Sequence, residues 1–178
     1  HNEERFIGEA IDSVLVQEYP HWELLVVDDG SSDATREVIE RYRDTRIRFF
    51  EQERRAVSAE RNLGYAGGNN LGLRSLAARP DLSHFLLLNN DATVAPDCFT
   101  HLRQAIEDLP EAGLLTGTIY KSAHPNEVWY AGARFKILRS LVRHDVEVPE
   151  AAGLVPTEHV CGCAMLIARP ALDTVGFL

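Results

Sequence analysis

Two short apolar runs, each ending abruptly in an acidic or amide-rich turn, constrain this chain more than any other feature. Glu23-Leu24-Leu25-Val26-Val27 breaks into Asp28-Asp29-Gly30-Ser31-Ser32-Asp33, and His84-Phe85-Leu86-Leu87-Leu88 breaks into Asn89-Asn90-Asp91. Runs of this length bounded by turn residues read as buried strands. Ahead of the first, Phe6, Ile7, Ala10, Ile11, Val14 and Leu15 recur at helical spacing between Glu3 and Gln17, and Pro20 ends that helix. Between the two runs the pattern predicts a helix to about Tyr42, a strand over Ile47 to Phe50, and a Gly/Asn-rich region with a helix through Ala77. A helix from about Asp97 to Leu109 follows, then interrupted strand patterns over Gly113 to Tyr120, Val128 to Leu138 and Val160 to Ala168. Alternation of this kind predicts an α/β fold: a mostly parallel central sheet, helices on both faces, and some antiparallel strands in the C-terminal half. Such sheets bind ligands beyond the carboxyl ends of their strands, where both turns fall.

A net charge of −9 over 178 residues argues against a nucleic-acid partner, which needs a basic patch to neutralise phosphates. A diphosphate can still be met locally by a metal ion, a few arginines or a helix N-terminus. Arg41 to Arg55 is interspersed with acids and reads as solvated surface. Cys98, Cys161 and Cys163 form no disulfide framework and no four-ligand zinc spacing, which suits a reducing, cytoplasmic setting. Cys161 and Cys163 sit in an apolar run and read as core residues. His124, His144 and His159 show no ligand spacing. No apolar run reaches the roughly 20 residues that span a bilayer, so no transmembrane segment is expected. The chain opens at His1 without a strand before its first helix and stops at Leu178 after a short one, so it reads as truncated at both ends.

Three segments carry candidate chemistry. At Asp28-Asp29-Gly30, a carboxylate beyond a strand can accept from a base imide N–H or a ribose hydroxyl, and a glycine lets the backbone approach a ligand. At Asn89-Asn90-Asp91, a carboxylate and amides offer hard oxygens to Mg2+ or Mn2+, with a nucleotide diphosphate completing the shell. Taken alone, each is also an ordinary Asx turn. The third segment, Arg61-Asn62-Leu63-Gly64-Tyr65-Ala66-Gly67-Gly68-Asn69-Asn70-Leu71-Gly72, matches neither G-x-G-x-x-G nor a Walker loop.

Together, in this order and at these separations, the three segments resemble family 2 glycosyltransferases over nearly the whole chain. His1-Asn2-Glu3-Glu4 looks like the end of the family's first strand and loop, and Val26-Val27-Asp28-Asp29-Gly30-Ser31 like its nucleotide loop. Leu88-Asn89-Asn90-Asp91 looks like its D-x-D position in the N-N-D form of rhamnosyltransferase-like members, and Gly162-Cys163-Ala164-Met165-Leu166-Ile167 is similar to the apolar strand before the acceptor site. The resemblance implies a GT-A-like fold and a single partial domain over 1–178, with a nucleotide-binding half over about 1–110 and the start of an acceptor-side half over about 111–178. It implies that Asp29, with Asp28 beside it, contacts the base or ribose, and that Arg61 or Asn70 approaches the nucleotide or its phosphates. Asp91 would hold the metal, with Asn89 where the first carboxylate of D-x-D usually stands. Val57-Ser58-Ala59-Glu60-Arg61-Asn62 and Gly64-Tyr65-Ala66-Gly67-Gly68-Asn69-Asn70 stand in tandem where the family usually carries one or the other, so which asparagine faces the ligand is open. The family's general base falls beyond Leu178.

The function implied is transfer of a sugar, with inversion, from a UDP- or dTDP-linked donor to a saccharide or lipid-linked acceptor in cell-wall or polysaccharide synthesis, in the cytoplasm or at the cytosolic face of a membrane. A nucleotidyltransferase on a similar sheet, or a non-catalytic nucleotide-sugar-binding domain, would use the same turns.

Overall fold

A computed structural model describes residues 1–51, 63–136, 141–148 and 153–178. The first helix, α1 (Ile7–Leu15), buries Ile7, Ala10, Ile11 and Val14 on one face, the 3.6-residue period at work. It is shorter than its apolar pattern because the residues before it are drawn away onto a neighbouring loop. The Asn2 N–H donates to Ser31 Oγ (2.9 Å), Glu3 N–H to Thr35 Oγ1 (2.9 Å) and Glu4 N–H to Asp33 Oδ2 (3.1 Å). In return, Asn2 Oδ1 accepts from the Ser32 N–H (2.8 Å) and Glu4 Oε2 from the Ala34 N–H (2.8 Å). Desolvation works against the Asp33 carboxylate, but the Thr35 hydroxyl and the Glu4 and Thr35 amides that donate to it outweigh that and hold its pKa below the ordinary value.

Strand β1 (Leu24–Asp28) leads through α2 (Thr35–Ile39) to β2 (Ile47–Glu51), and the two strands pair in parallel with Leu24 opposite Ile47. Helix α3 (Gly64–Ala77) and strand β3 (His84–Leu88) follow, then α4 (Cys98–Asp108). Next come the short β4 (Leu114–Leu115), β5 (Ile119–Lys121), β6 (His124–Tyr130), β7 (Ala133–Lys136) and β8 (Leu141–His144). The last elements are β9 (Ala164–Ala168) and α5 (Arg169–Val175).

The expected mostly parallel central sheet is not what forms. Among the described strands only β1 and β2 pair in parallel; β9 lies antiparallel between β3 and β4, and β5–β6 and β7–β8 are antiparallel pairs. The reason lies in β9. Four of its five residues are buried, and it places Leu166 opposite Leu86 and Met165 opposite Leu87, adding antiparallel pairs on one edge of β3 while the other edge, which faces β1 across a gap, pairs with no described strand. Strand–helix alternation implies parallel crossovers only where successive strands become neighbours, and β1 and β3 do not pair with each other.

Helices hold the two half-sheets side by side. On one face α3 reaches both: a Cβ built at Gly72 would stand 3.1 Å from Val27 Cγ2, while the adjacent Leu73, 1% exposed, packs with Phe85 and Leu87 of β3. Gly72 is thus a site of close helix–strand approach, which explains a glycine inside a helix despite its cost of about 1 kcal/mol against alanine. On the other face Ile7 and Ile11 of α1 pack on Val26. Gln17 ties α1 to the start of α4, its amide donating to Ala95 O (2.7 Å) and accepting from the Phe99 N–H (2.9 Å). A third core, Tyr130, Ala133 and Cys161, seats the hairpin strands against the chain entering β9, and all three cysteines are free. No helix among the described residues is long and apolar enough to cross a membrane.

Candidate functional site

A cleft of about 1030 Å³ opens between β1 and β3. It is lined by consecutive residues of each strand, Leu24 through Asp29 and His84 through Asn90. Successive side chains of a strand point to opposite faces, so a wall made of every residue in turn is a strand edge. Such an edge presents backbone N–H and C=O groups between apolar side chains, and Asp28, Asp29, Asn89 and Asn90 line it at the carboxyl ends of the two strands.

Strand β1 ends in two aspartates with different duties. Asp28, 4% exposed, closes the turn: its Oδ1 accepts from the Ser31 N–H (3.0 Å) and the Ser31 hydroxyl (2.5 Å), with Gly30 at φ +74°. Asp29, 8% exposed, faces the other way along the chain. Its Oδ2 accepts from the Leu63 N–H (2.5 Å), at the N-cap of α3, where a carboxylate meets the positive end of the helix. Its Oδ1 is buried and has no hydrogen-bond partner among the described residues.

Strand β3 ends in the amide-rich turn. The Asn89 N–H extends the β3–β9 ladder by donating to Cys163 O (2.9 Å), and the Ala92 N–H donates to Asn89 O (3.2 Å), which turns the chain. Asn89 and Asn90 are half-buried and line the cleft, while Asp91 is exposed beyond them. The Cys163 thiol is pushed up by burial first, then by Cys161 and by the negative charge of Asp91. No cluster of three or more His, Cys, Asp or Glu able to hold a metal ion occurs among the described residues. The turn therefore offers one carboxylate and carboxamide oxygens. That donor set suits an Mg2+ or Mn2+ shared with diphosphate oxygens, because Mg2+ takes one or two carboxylates plus phosphates and water.

From Gly64 to Gly72 the Gly/Asn segment is not a loop preceding a helix, as its composition suggests, but part of α3 itself. Asn69 lines the cleft, and its Nδ2 donates to Tyr65 O within the helix (2.9 Å). Asn70 is engaged elsewhere: its Nδ2 donates to Leu178 O (2.7 Å), its Oδ1 accepts from the Leu178 N–H (2.9 Å), and it is not among the cleft-lining residues. Arg61 lies outside the described residues. Tyr65 was not singled out by the sequence, yet it lines the cleft and its hydroxyl donates to Gly162 O (2.6 Å), tying α3 to the chain entering β9. A Cβ at Gly162 would lie 2.6 Å from that hydroxyl, so the glycine is what lets the two approach. A cue was present in the sequence: an aromatic inside a glycine-rich segment.

The rim thus joins an acidic turn, an amide-and-acid turn and the start of a helix. Residues 1–176 match the family model described as glycosyl transferase family 2. The chain belongs to that family. It is 44% identical over 79 residues to UDP-Glc:alpha-D-GlcNAc-diphosphoundecaprenol beta-1,3-glucosyltransferase WfgD of Escherichia coli, a match covering 44% of this chain and 28% of that protein. It is 36% identical over 107 residues to the succinoglycan biosynthesis protein ExoO of Rhizobium meliloti, covering 60% of this chain and 27% of that protein. Among solved structures it resembles S. aureus TarS 1-349 with a TM-score of 0.55 at 17% identity, over 98% of this chain and 46% of that one. That likeness concerns the fold alone. The chain spans less than a third of the length of these curated relatives, and as a family member it is a glycosyltransferase domain.

Proposed function

We propose that this glycosyltransferase domain holds the nucleotide of a UDP- or dTDP-linked sugar at the cleft rim, for transfer with inversion to a saccharide or lipid-linked acceptor. The observation that carries the reading is the divided carboxylate of Asp29. One oxygen is committed to the Leu63 N–H and the other is buried without a partner among the described residues. A buried polar atom left unpaired costs about 1–3 kcal/mol, more when charged. A base imide N–H or a ribose hydroxyl supplies the missing donor. Asp28 acts one step removed, by fixing the turn that presents Asp29. Across the cleft, Asn89 and Asn90 offer amide N–H groups to the diphosphate. Asp91 and the Asn89 carboxamide would hold Mg2+ or Mn2+, which when bound neutralises charge on the departing nucleoside diphosphate. The N-N-D form aligns the turn with rhamnosyltransferase-like members, and WfgD, whose name specifies a UDP-glucose donor and a lipid diphosphate acceptor, supports the donor class.

In this reading residues of about 1–110 serve the donor and those of about 111–178 begin the acceptor side. The base that removes the acceptor proton is assigned to no residue of this chain. The free cysteines favour a cytosolic setting, where nucleotide sugars are available. The test is product analysis with the full-length protein, UDP-glucose or dTDP-rhamnose, and a saccharide acceptor. Free nucleoside diphosphate together with a glycosylated acceptor is the expected outcome. Release of pyrophosphate would assign nucleotidyl transfer instead, and tight nucleotide binding with neither product would leave a binding domain.

A further inference from the structure

Trp129 and Tyr130 are adjacent in β6, and the pleat sends them opposite ways. Tyr130 is 1% exposed and packs with Ala133 and Cys161, whereas Trp129 is 40% exposed. The open indole is nevertheless held in place. His144 stands edge-on to both rings, with centroids 5.1 Å from Trp129 at 80° and 5.3 Å from Tyr130 at 84°. The imidazole is itself fixed by the β7–β8 ladder, in which His144 pairs with Ala133 and the Asp145 N–H donates to Gly132 O (2.8 Å). An exposed aromatic side chain fixed by its neighbours is a preorganised contact surface, since binding against it loses little rotamer freedom.

Beside this indole is a second pocket of about 540 Å³, bounded by Trp129, His144, Lys121, Asn126, Glu127 and Val146. None of these residues lines the larger cleft. The Lys121 ammonium is paired with the Glu127 carboxylate, so the two charges offset each other and the pocket has little call on a phosphate or an acid. It presents an aromatic ring, a carboxamide able to donate and accept, an imidazole and a pre-paired ammonium and carboxylate. A pyranose is the complementary shape: an apolar C–H face to lie on a ring, with hydroxyls around its edge to meet mixed donors and acceptors.

We propose that this pocket binds one uncharged pyranose unit of an oligosaccharide and so holds an acceptor chain on the β5–β8 hairpins. Naming the ligand an acceptor rests on the sugar-transfer reading above; the binding itself does not.

The two tryptophans of the chain make the test internal. Trp22 is covered by the Arg46 guanidinium, 3.8 Å from its ring, and its Nε1 is buried, so its indole signal serves as a reference. The 15N-labelled chain is titrated with chitotetraose, with cellotetraose and with inorganic phosphate, following both indole N–H resonances. The expected result is a saturable shift of Trp129 with at least one saccharide, none with phosphate, and an unmoved Trp22. Trp129→Ala weakens that binding about tenfold or more, and Trp129→Phe, which keeps an aromatic face, loses less. A Trp129 signal that ignores both saccharides, or a Trp129→Ala variant that binds as well as the parent with its Trp22 signal intact, overturns the proposal. UDP added to the same samples, followed through the backbone amide signals of Asp28 to Ser32 and Asn89 to Ala92 instead of the indoles, separates the two ideas. UDP shifts with silent saccharides sink the pocket alone, and saccharide shifts without UDP shifts sink the donor reading alone.

Discussion

Asp29→Ala is expected to weaken UDP binding by up to about 100-fold, because a hydrogen bond to a charged group contributes about 1.5–3 kcal/mol. Calorimetric titration measures it directly. The same change removes the acceptor for the Leu63 N–H at the start of α3, a loss worth about 1 kcal/mol of stability, so the variant remains folded. Asp29→Asn keeps the shape but not the charge, and its loss of affinity is smaller. Asp28→Ala separates the roles of the two aspartates. Both described contacts of Asp28 lie within the turn, to the Ser31 amide and hydroxyl, so its removal lowers stability first and affinity through displacement of Asp29. An Asp29→Ala variant that binds UDP as tightly as the parent chain would remove the cleft rim from the account.

Phe85→Ala is expected to cost about 3–5 kcal/mol, the range for emptying a buried phenylalanine site, against total stabilities of about 5–15 kcal/mol for such domains. Phe85 is 3% exposed at the point where α3, β9 and α5 meet. The Arg169 guanidinium lies over its ring at 5.0 Å while donating to the carbonyls of Ala77 (3.1 Å), Arg79 (2.6 Å) and Leu82 (2.5 Å), so the ring also supports the cap on the C-terminal end of α3. Urea denaturation followed by circular dichroism gives the number. Trp129→Ala, at an exposed position, provides the contrast and is expected to change stability by under about 1 kcal/mol. A Phe85→Ala cost as small as that one would mean that β3 is not the centre of this core.

Local pattern carried much of the fold. Strand β3 occupies the five residues of its apolar run, and β1 and α4 depart from their patterns only at the ends, because burial of a continuous face dominates there. What the pattern could not carry was pairing. The run at β9 reads as a strand on composition, but whether it lies antiparallel on β3 depends on contacts across the whole chain. The start of α1 was lost to the Asn2–Glu4 hydrogen bonds with the Ser31–Thr35 loop, which tertiary proximity creates. The glycines of α3 argue locally for a loop, and for one of them, Gly72, close packing on Val27 gives the helix a use for the missing side chain. At the site, the two strand-end turns were legible as a pair, whereas the division of labour between Asp28 and Asp29 was not, since it depends on which amide each oxygen reaches. For Asn70 the motif points to a ligand, while the backbone of Leu178, to which its amide pairs, lies 108 positions away in sequence, a contact no local pattern foretells.

A nucleotide diphosphate is proposed to settle between the ends of β1 and β3. Hydrogen–deuterium exchange of the chain with and without saturating UDP and Mn2+ locates the ligand without presupposing any residue. Added protection is expected at Asp28 to Ser32, at Asn89 to Ala92 and at the first turn of α3, with the β5–β8 hairpins unchanged. Protection confined to the hairpins, or absent from both strand ends in a sample shown to bind UDP, would contradict it.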